Sequence, residues 1–322
     1  MTNFAVAGYA SGVTGDHDAL RRSLGRLGAW TFAFDGIPAS RVRTEAAQLE
    51  TLGYSALWVP EGSSSRDVFA HLALLLAATD RMTVASGIAN ITARQPEVMA
   101  RGARTVVDGW GNRAVVGIGV GHEYSTEERG IAWAQPLSRM RTYLDRMDAA
   151  PWGWEPHVDP LRLIAALGNG MLRLAAERAL GAHTYFVPVS HTAHAREVMG
   201  PEPVLAVEVT AVAEKDPSRA RRQARGWVAH YLELPNYARN LVRMGFAEEE
   251  LAGGGSDRLL DATVAWGDAA DVAECVRAHL QAGADHVCVQ FVGDEPGVDI
   301  PAYEALADAW SAMPESLLGV DR

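Results

Sequence analysis

Lysine occurs once in the 322 residues, at Lys215, so the positive charge is nearly all arginine and Schiff-base chemistry has almost no candidate. Positive charge is also in deficit: 29 Lys and Arg against 40 Asp and Glu leave a formal charge of −11. Nucleic acids and acidic membranes are bound by clustered excess positive charge, so neither is expected as a partner. Cysteine occurs twice, at Cys275 and Cys288, with no metal-type residues nearby, which makes both small buried side chains and leaves no metal site. No apolar run approaches the ~18 residues a membrane span needs, and no basic segment precedes an apolar core near the start. A cytoplasmic protein is expected. The absence of any low-complexity block excludes a disordered or fibrous chain.

Apolar residues, 48% of the chain, recur instead in a regular rhythm. About twenty irregular residues precede the run LGAWTFAF (27–34), which reads as a strand, and Pro38 opens a helix with Val42, Ala46 and Leu49 on one face. Ala56 to Val59 is a second strand, followed by a helix bearing Val68, Leu72 and Leu75. Met82 to Ala89 is the third, and Pro96 opens its helix. The fourth, in RAVVGIGVGHE (113–123), is separated by a loop (124–135) from a helix starting at Pro136. A Pro/Trp/His-rich stretch (151–160) reads as a long loop before LRLIAAL and the helical MLRLAAERAL. Ala182 to Val187 with a helix from Thr192, then Val204 to Val212 with a helix capped by Asp216 and Pro217, continue the series. About fifty residues then pass before the eighth strand (His286 to Phe291), more than one crossover needs. Eight strand–helix units predict one α/β domain, a (β/α)8 TIM barrel spanning residues 1–322, with an insertion of about 217–267 between strands seven and eight near the mouth. A doubly wound open sheet is the runner-up. It is disfavoured because the glycines at 117, 119 and 121 are spaced G-x-G-x-G and no helix follows them directly.

In such a barrel the chemistry sits at the carboxyl ends of the strands. Those ends hold several glycines, few positive charges and two candidate histidines, His122 and His191, which suits a flat aromatic ligand better than one held by ionic contacts. His122-Glu123 begins like a zinc-protease motif, but Thr126 stands where the second histidine is needed. His191 and His194 at a helix start are more simply exposed or capping residues, and Ser256 in GGGSD is more simply an N-cap. Trp30, Phe32 and Trp58 are as readily barrel filling as ligand contacts. The turn around Gly168, Asn169 and Gly170 places amides at a helix N-terminus, either an ordinary turn or a seat for a phosphate.

Taken together, ALWVPEG (56–62), ASGIANITARQPEVMARGA (85–103), VVGIGVGHE (115–123), the run 163–203, GGGSDRLLDATVAWGD (253–268) and AGADHVCVQ (282–290) resemble the luciferase-like monooxygenase superfamily, and within it the branch of F420-dependent oxidoreductases. The resemblance implies a deazaflavin across the barrel mouth, backed by a bulge in strand three that contains a non-proline cis peptide. Gly87-Ile88 is the matching position, with Ser86 and Asn90 beside it and Gly119 at the end of strand four. It also implies a phosphate turn at Gly168 to Met171, where Asn169 and Gly170 replace the Pro and Lys of the relatives, and contacts from His191 and Thr192 to the cofactor tail. His122 stands where a sugar-phosphate dehydrogenase of the superfamily ends strand four with an acidic catalyst, and Glu61 matches an acidic residue after strand two.

The expected function is hydride transfer between coenzyme F420 and a small substrate with an apolar component, His122 acting as general acid or base and Glu61 as a second polar contact. An FMN-dependent monooxygenase of the same fold is one alternative, and a flavin-binding barrel without turnover is another. Dimers are common in the superfamily, so a homodimer is expected.

Overall fold

The computed structural model describes residues 16–153, 159–293 and 295–314. Its ten strands are β1 (Leu27–Trp30), β2 (Ala56–Val59), β3 (Thr83–Ser86), β4 (Ala89–Asn90), β5 (Ala114–Gly119), β6 (Leu161–Ala165), β7 (Gly181–Thr184), β8 (Val204–Val212), β9 (Val264–Trp266) and β10 (His286–Phe291). All pair in parallel, and β10 bonds both β1 and β8, which closes an eight-stranded barrel from which β4 and β9 are short additions. The TIM barrel expected from the eight units is therefore present.

The helices follow in chain order: α1 (His17–Leu24), α2 (Ala39–Thr51), α3 (Val68–Leu76), α4 (Pro96–Trp110), α5 (Glu123–Glu127), α6 (Pro136–Asp148), α7 (Asn169–Arg178), α8 (Val189–Met199), α9 (Pro217–Leu232), α10 (Pro235–Arg243), α11 (Asp257–Thr263), α12 (Ala269–Gln281) and α13 (Ile300–Ser311). Local chemistry sets their starts. Pro96 and Pro217 occupy first-turn positions where no amide is needed, and the Asp216, Ser256 and Asp268 side chains accept from first-turn amides.

The period of two along the strands divides the core. On β8, Leu205, Val207 and Val209 join the layer beneath the outer helices, whereas Val204 and Ala206 point inward beside Trp30, Trp58, Leu163 and Cys288. Leu20 and Leu24 of α1 join that inner cluster. Residues read as irregular thus include a helix whose two buried leucines, four apart, are too few to stand out in sequence; the first fifteen residues of that stretch lie outside the described residues, as do 154–158 of the proline-rich connection. A separate cluster (Val212, Ala224, Val228, Leu241, Leu259, Leu260) is built mainly from α9, α10 and α11 of the insertion.

Several boundaries differ from the sequence reading. β1 stops at Trp30 because Ala33 N–H turns back onto Thr31 Oγ1 (2.9 Å). β3 is interrupted after Ser86. β7 ends at Thr184, before Phe186 takes a positive φ of 52°. β9 was not expected; it pairs with Thr210–Val212 at the far end of the long β8.

The barrel interior also carries polar groups. His286 donates from Nδ1 to Gly25 O (2.9 Å), so its Nε2 is left to accept from Trp58 Nε1–H (3.0 Å), a fixed neutral tautomer. Gly28 makes this possible, since a Cβ there would stand 2.7 Å from the His286 ring. His183 stacks on Trp58 with ring centroids 4.4 Å apart. Burial lowers the pKa of His183 to about 3 and those of His71, His191, His279 and His286 to about 4. Burial pushes Glu208 the other way, up to about 7, against hydrogen bonds from Phe186 N–H and the Thr210 hydroxyl.

The signs decide the pH response. As pH falls from 6.5 toward 4, the unfolded chain protonates histidines that the native protein keeps neutral, so native stability is lost over that window. Glu208 opposes this, because its folded pKa lies above the unfolded one and its contribution is lost as pH rises through 7. Five groups outweigh one. The melting temperature should fall steadily from pH 7 to pH 4.5, and a flat profile by calorimetry would show that these imidazoles are not held neutral.

Candidate active site

The third strand breaks where the barrel opens. The Gly87–Ile88 peptide is cis, and the chain resumes as β4 beside β5. The bulge is held from both sides. Ser86 Oγ donates to Gly117 O (2.9 Å) and Ile91 N–H to Gly119 O (2.9 Å). A Cβ at Gly117 would stand 2.2 Å from Ser86 O, one at Gly119 2.4 Å from Ile88 Cδ1, and one at Gly121 2.4 Å from Asn90 Nδ2. The three spaced glycines therefore make room for the neighbouring strand's bulge, and Gly121 also has a positive φ of 72°.

On the other side stands Glu61. Its Oε2 accepts from Asn90 N–H (2.8 Å) and Arg94 Nη1 (2.7 Å), while Oε1 pairs with Arg94 Nη2. The two side chains are only 6% and 9% exposed. The structure thus places Glu61 in a bidentate ion pair that holds the bulge, and both its oxygens are engaged.

His122 begins α5, a single short helix inside what the sequence suggested was loop. Its carbonyl accepts from Thr126 N–H (3.0 Å) and Thr126 Oγ1 (2.8 Å), which fixes its backbone. Burial lowers its pKa, a hydrogen bond with the Asn236 side chain raises it and His230 lowers it again, with a net downward shift. Its ring lies 5.8 Å from Tyr124 and 5.7 Å from Tyr237.

Aromatic rings from the insertion meet rings from the strand ends here. Trp227 lies 5.9 Å from Phe32, and Tyr231 lies 5.3 Å from Tyr185, which in turn is 5.1 Å from Trp30. Tyr185 Oη donates to Gln290 Oε1 (2.9 Å), so the Tyr231 hydroxyl, 3.0 Å away, is the donor to Tyr185. Two buried ring nitrogens lack partners at the bulge, Trp30 Nε1 and His183 Nε2. A Cβ at Gly87 would lie 2.5 Å from the first and 3.3 Å from the second.

Gly168 caps α7 without a side-chain bond, leaving the amides of Asn169 and Gly170 as free first-turn groups. His191 is buried on Leu167 O (2.9 Å) close to that turn. Thr192 is not at the mouth: its hydroxyl meets His279 of α12 at 2.8 Å, in the interface of the outer helices. The structure thus groups Ser86, Gly87, Ile88, Asn90 and Gly119 at the bulge, and Gly168 to Met171 with His191 at the turn. Sequence reasoning missed Arg94 and His183. A histidine at an inward position of a barrel strand was a usable signal for His183; nothing local marked Arg94.

The sequence profile of the luciferase-like monooxygenase family matches residues 22–286. The chain belongs to that family. Among curated proteins it is similar to 5,10-methylenetetrahydromethanopterin reductase of Archaeoglobus fulgidus, 30% identical over 146 residues (40% of this chain, 44% of the relative), and to that of Methanolobus tindarius, 26% identical over 111 residues (34% of each). The matches span less than half of those relatives. Among solved structures, the coenzyme F420-dependent tetrahydromethanopterin reductase of Methanopyrus kandleri superposes with a TM-score of 0.72 at 17% identity, covering 88% of this chain and 97% of that one. An F420-dependent secondary alcohol dehydrogenase bound to an F420-acetone adduct gives 0.70 at 13% identity (88% and 98%). The FMN-bound oxygenating constituent of 3,6-diketocamphane monooxygenase from Pseudomonas putida gives 0.63 at 18% identity (88% and 97%). These likenesses establish the fold.

Two substitutions test the architecture. Glu61→Ala leaves the Asn90 amide without its acceptor and the buried Arg94 guanidinium with only its 3.3 Å contact to the exposed Asp67, and should cost about 3 kcal/mol in denaturant unfolding. Gly117→Ala should cost about 1–3 kcal/mol, because backbone rather than a flexible side chain must give way; an unchanged midpoint would contradict the interlock.

Proposed function

We propose that the protein transfers a hydride between coenzyme F420 and a small organic substrate with an apolar part. One observation carries the reading: Trp30 Nε1 and His183 Nε2 are buried without partners at the bulge, below a rim of aromatic rings, as expected of a site shaped for a ring system with polar edges. The residues fit such a cofactor. Ser86, Gly87, Ile88, Asn90 and Gly119 would back the ring, and Gly168, Asn169, Gly170 and Met171 would face its phosphate. The chemistry a bound deazaflavin supplies is two-electron hydride transfer at C5.

The chain's own residues handle the rest. Burial keeps His122 neutral near pH 7, so its imidazole can take the proton of a substrate hydroxyl as the hydride leaves, and return it in the reverse direction. Glu61, already paired, acts by holding the bulge and is a positioning residue. Phe32, Tyr185, Trp227, Tyr231 and Tyr237 exclude water and offer apolar surface to the substrate. The reductases and the alcohol dehydrogenase named above support F420, while the fold shared with an FMN-bound monooxygenase supports the alternative of an FMN-dependent monooxygenase.

Titration of the purified protein with each cofactor separates the two. F420 is expected to bind and raise the melting temperature; protection by FMN alone would replace this reading with the other. His122→Ala should slow single-turnover bleaching of F420 by about a hundredfold or more with cofactor affinity unchanged. In the oxidising direction the wild-type rate should fall in acid with a midpoint below the ordinary histidine value of 6.5. Unaltered turnover in the variant would remove His122 from the mechanism.

A further inference from the structure

The turn before α7 has no cation of its own, yet one lies beside it. Arg243, the last residue of α10, extends from the insertion so that both its terminal nitrogens stand 3.9 Å from where a Gly168 Cβ would be. We propose that Arg243 and Asn240 of the insertion are ligands of a phosphate group bound at the N-terminus of α7, so that the anion ties the insertion to the barrel. The proposal rests on the cofactor reading only for whose phosphate it is.

Three features converge. Arg243 Nη1 donates to Asn240 Oδ1 (3.0 Å) and to Leu167 O (3.5 Å), neutral acceptors that aim the guanidinium over the turn without neutralising it. The Asn240 side chain is separately informative. It is 1% exposed, its Oδ1 is assigned by the arginine it accepts from, and its Nδ2 therefore remains a buried donor with no partner. An anion beside the guanidinium would satisfy it. The turn itself is fixed: His194 Nε2 meets Asn169 Oδ1 (2.7 Å), and His191 Nε2 donates to Leu167 O (2.9 Å), which leaves the Asn169 and Gly170 amides free at the positive end of a ten-residue helix. A planar guanidinium, a carboxamide N–H and two backbone amides make a donor set for a tetrahedral oxyanion.

The placement also links two parts of the fold. Arg243 belongs to a segment whose core is separate from the barrel's, so an anion gripped by both would slow opening of α10.

The test compares wild type, Arg243→Ala and Arg243→Lys at a temperature where all three are folded; Arg243→Ala takes the donor from the buried Asn240 Oδ1 and should melt below wild type, with Lys closer to it. The probes are inorganic pyrophosphate, F420, FMN, and the riboflavin-level chromophores that lack phosphate. Arg243→Ala is expected to weaken every phosphate-bearing probe that wild type binds by about ten- to a hundredfold, and the phosphate-free chromophores by less than twofold, with Lys intermediate. Pyrophosphate should slow amide hydrogen exchange over residues 235–243 in wild type and not in Arg243→Ala. Equal losses with and without phosphate, no slowing of exchange, or no phosphate-bearing probe bound would overturn the proposal. Pyrophosphate binding that depends on Arg243, with neither flavin bound, would uphold it and sink the cofactor reading. F420 binding indifferent to Arg243 would do the reverse.

Discussion

One carboxylate holds the mouth of this barrel in shape. Glu61, at the end of the second barrel strand, accepts the Asn90 amide and both terminal nitrogens of Arg94, and so spans the break in the third strand. Facing it across the break, β5 yields space by having no side chains at Gly117, Gly119 and Gly121. Neither half suffices alone. Without the glycines the bulge has no room, and without Glu61 its outer end has a buried amide with no acceptor and a buried guanidinium left to the exposed Asp67 alone. The partnerless nitrogens of Trp30 and His183 are arranged around that bulge, so what the site can bind depends on it.

Charge is distributed to suit the same end. The barrel interior keeps its imidazoles neutral by burial and fixed tautomers, which spares it ions that the apolar surroundings could not support. Glu208 is the acidic exception, with its pKa pushed up to about 7. Formal positive charge enters at the edges, from Arg94 behind the bulge and Arg243 above the α7 turn. The insertion contributes Trp227, Tyr231 and Tyr237 to the aromatic rim, beside Phe32 and Tyr185 of the barrel, and also the second of these cations.

Much of the fold could be seen in the order of residues. Strands of β-branched and small residues alternated with helices opened by Pro38, Pro96, Pro136 and Pro217, and these signals are local: they depend on backbone freedom and on which face is apolar. The bulge position and the α7 turn were legible through the resemblance carried by ASGIAN and ALGNGM. Errors fell where local signal is weak, at α1 with its two buried leucines and at β9, which exists because β8 offers a free edge.

By itself the sequence determined the class of the fold, the near-exclusive use of arginine for positive charge and the small residues of β5. Only the tertiary structure decided what those small residues are for. Their vacant space is filled by Ser86, Ile88 and Asn90 from a strand about thirty positions earlier. The same holds for the charges. Nothing in the order of residues pairs Glu61 with Arg94 or brings Arg243 to Gly168, because such contacts depend on how chain segments far apart in sequence close around one another, and closure is a property of the whole barrel.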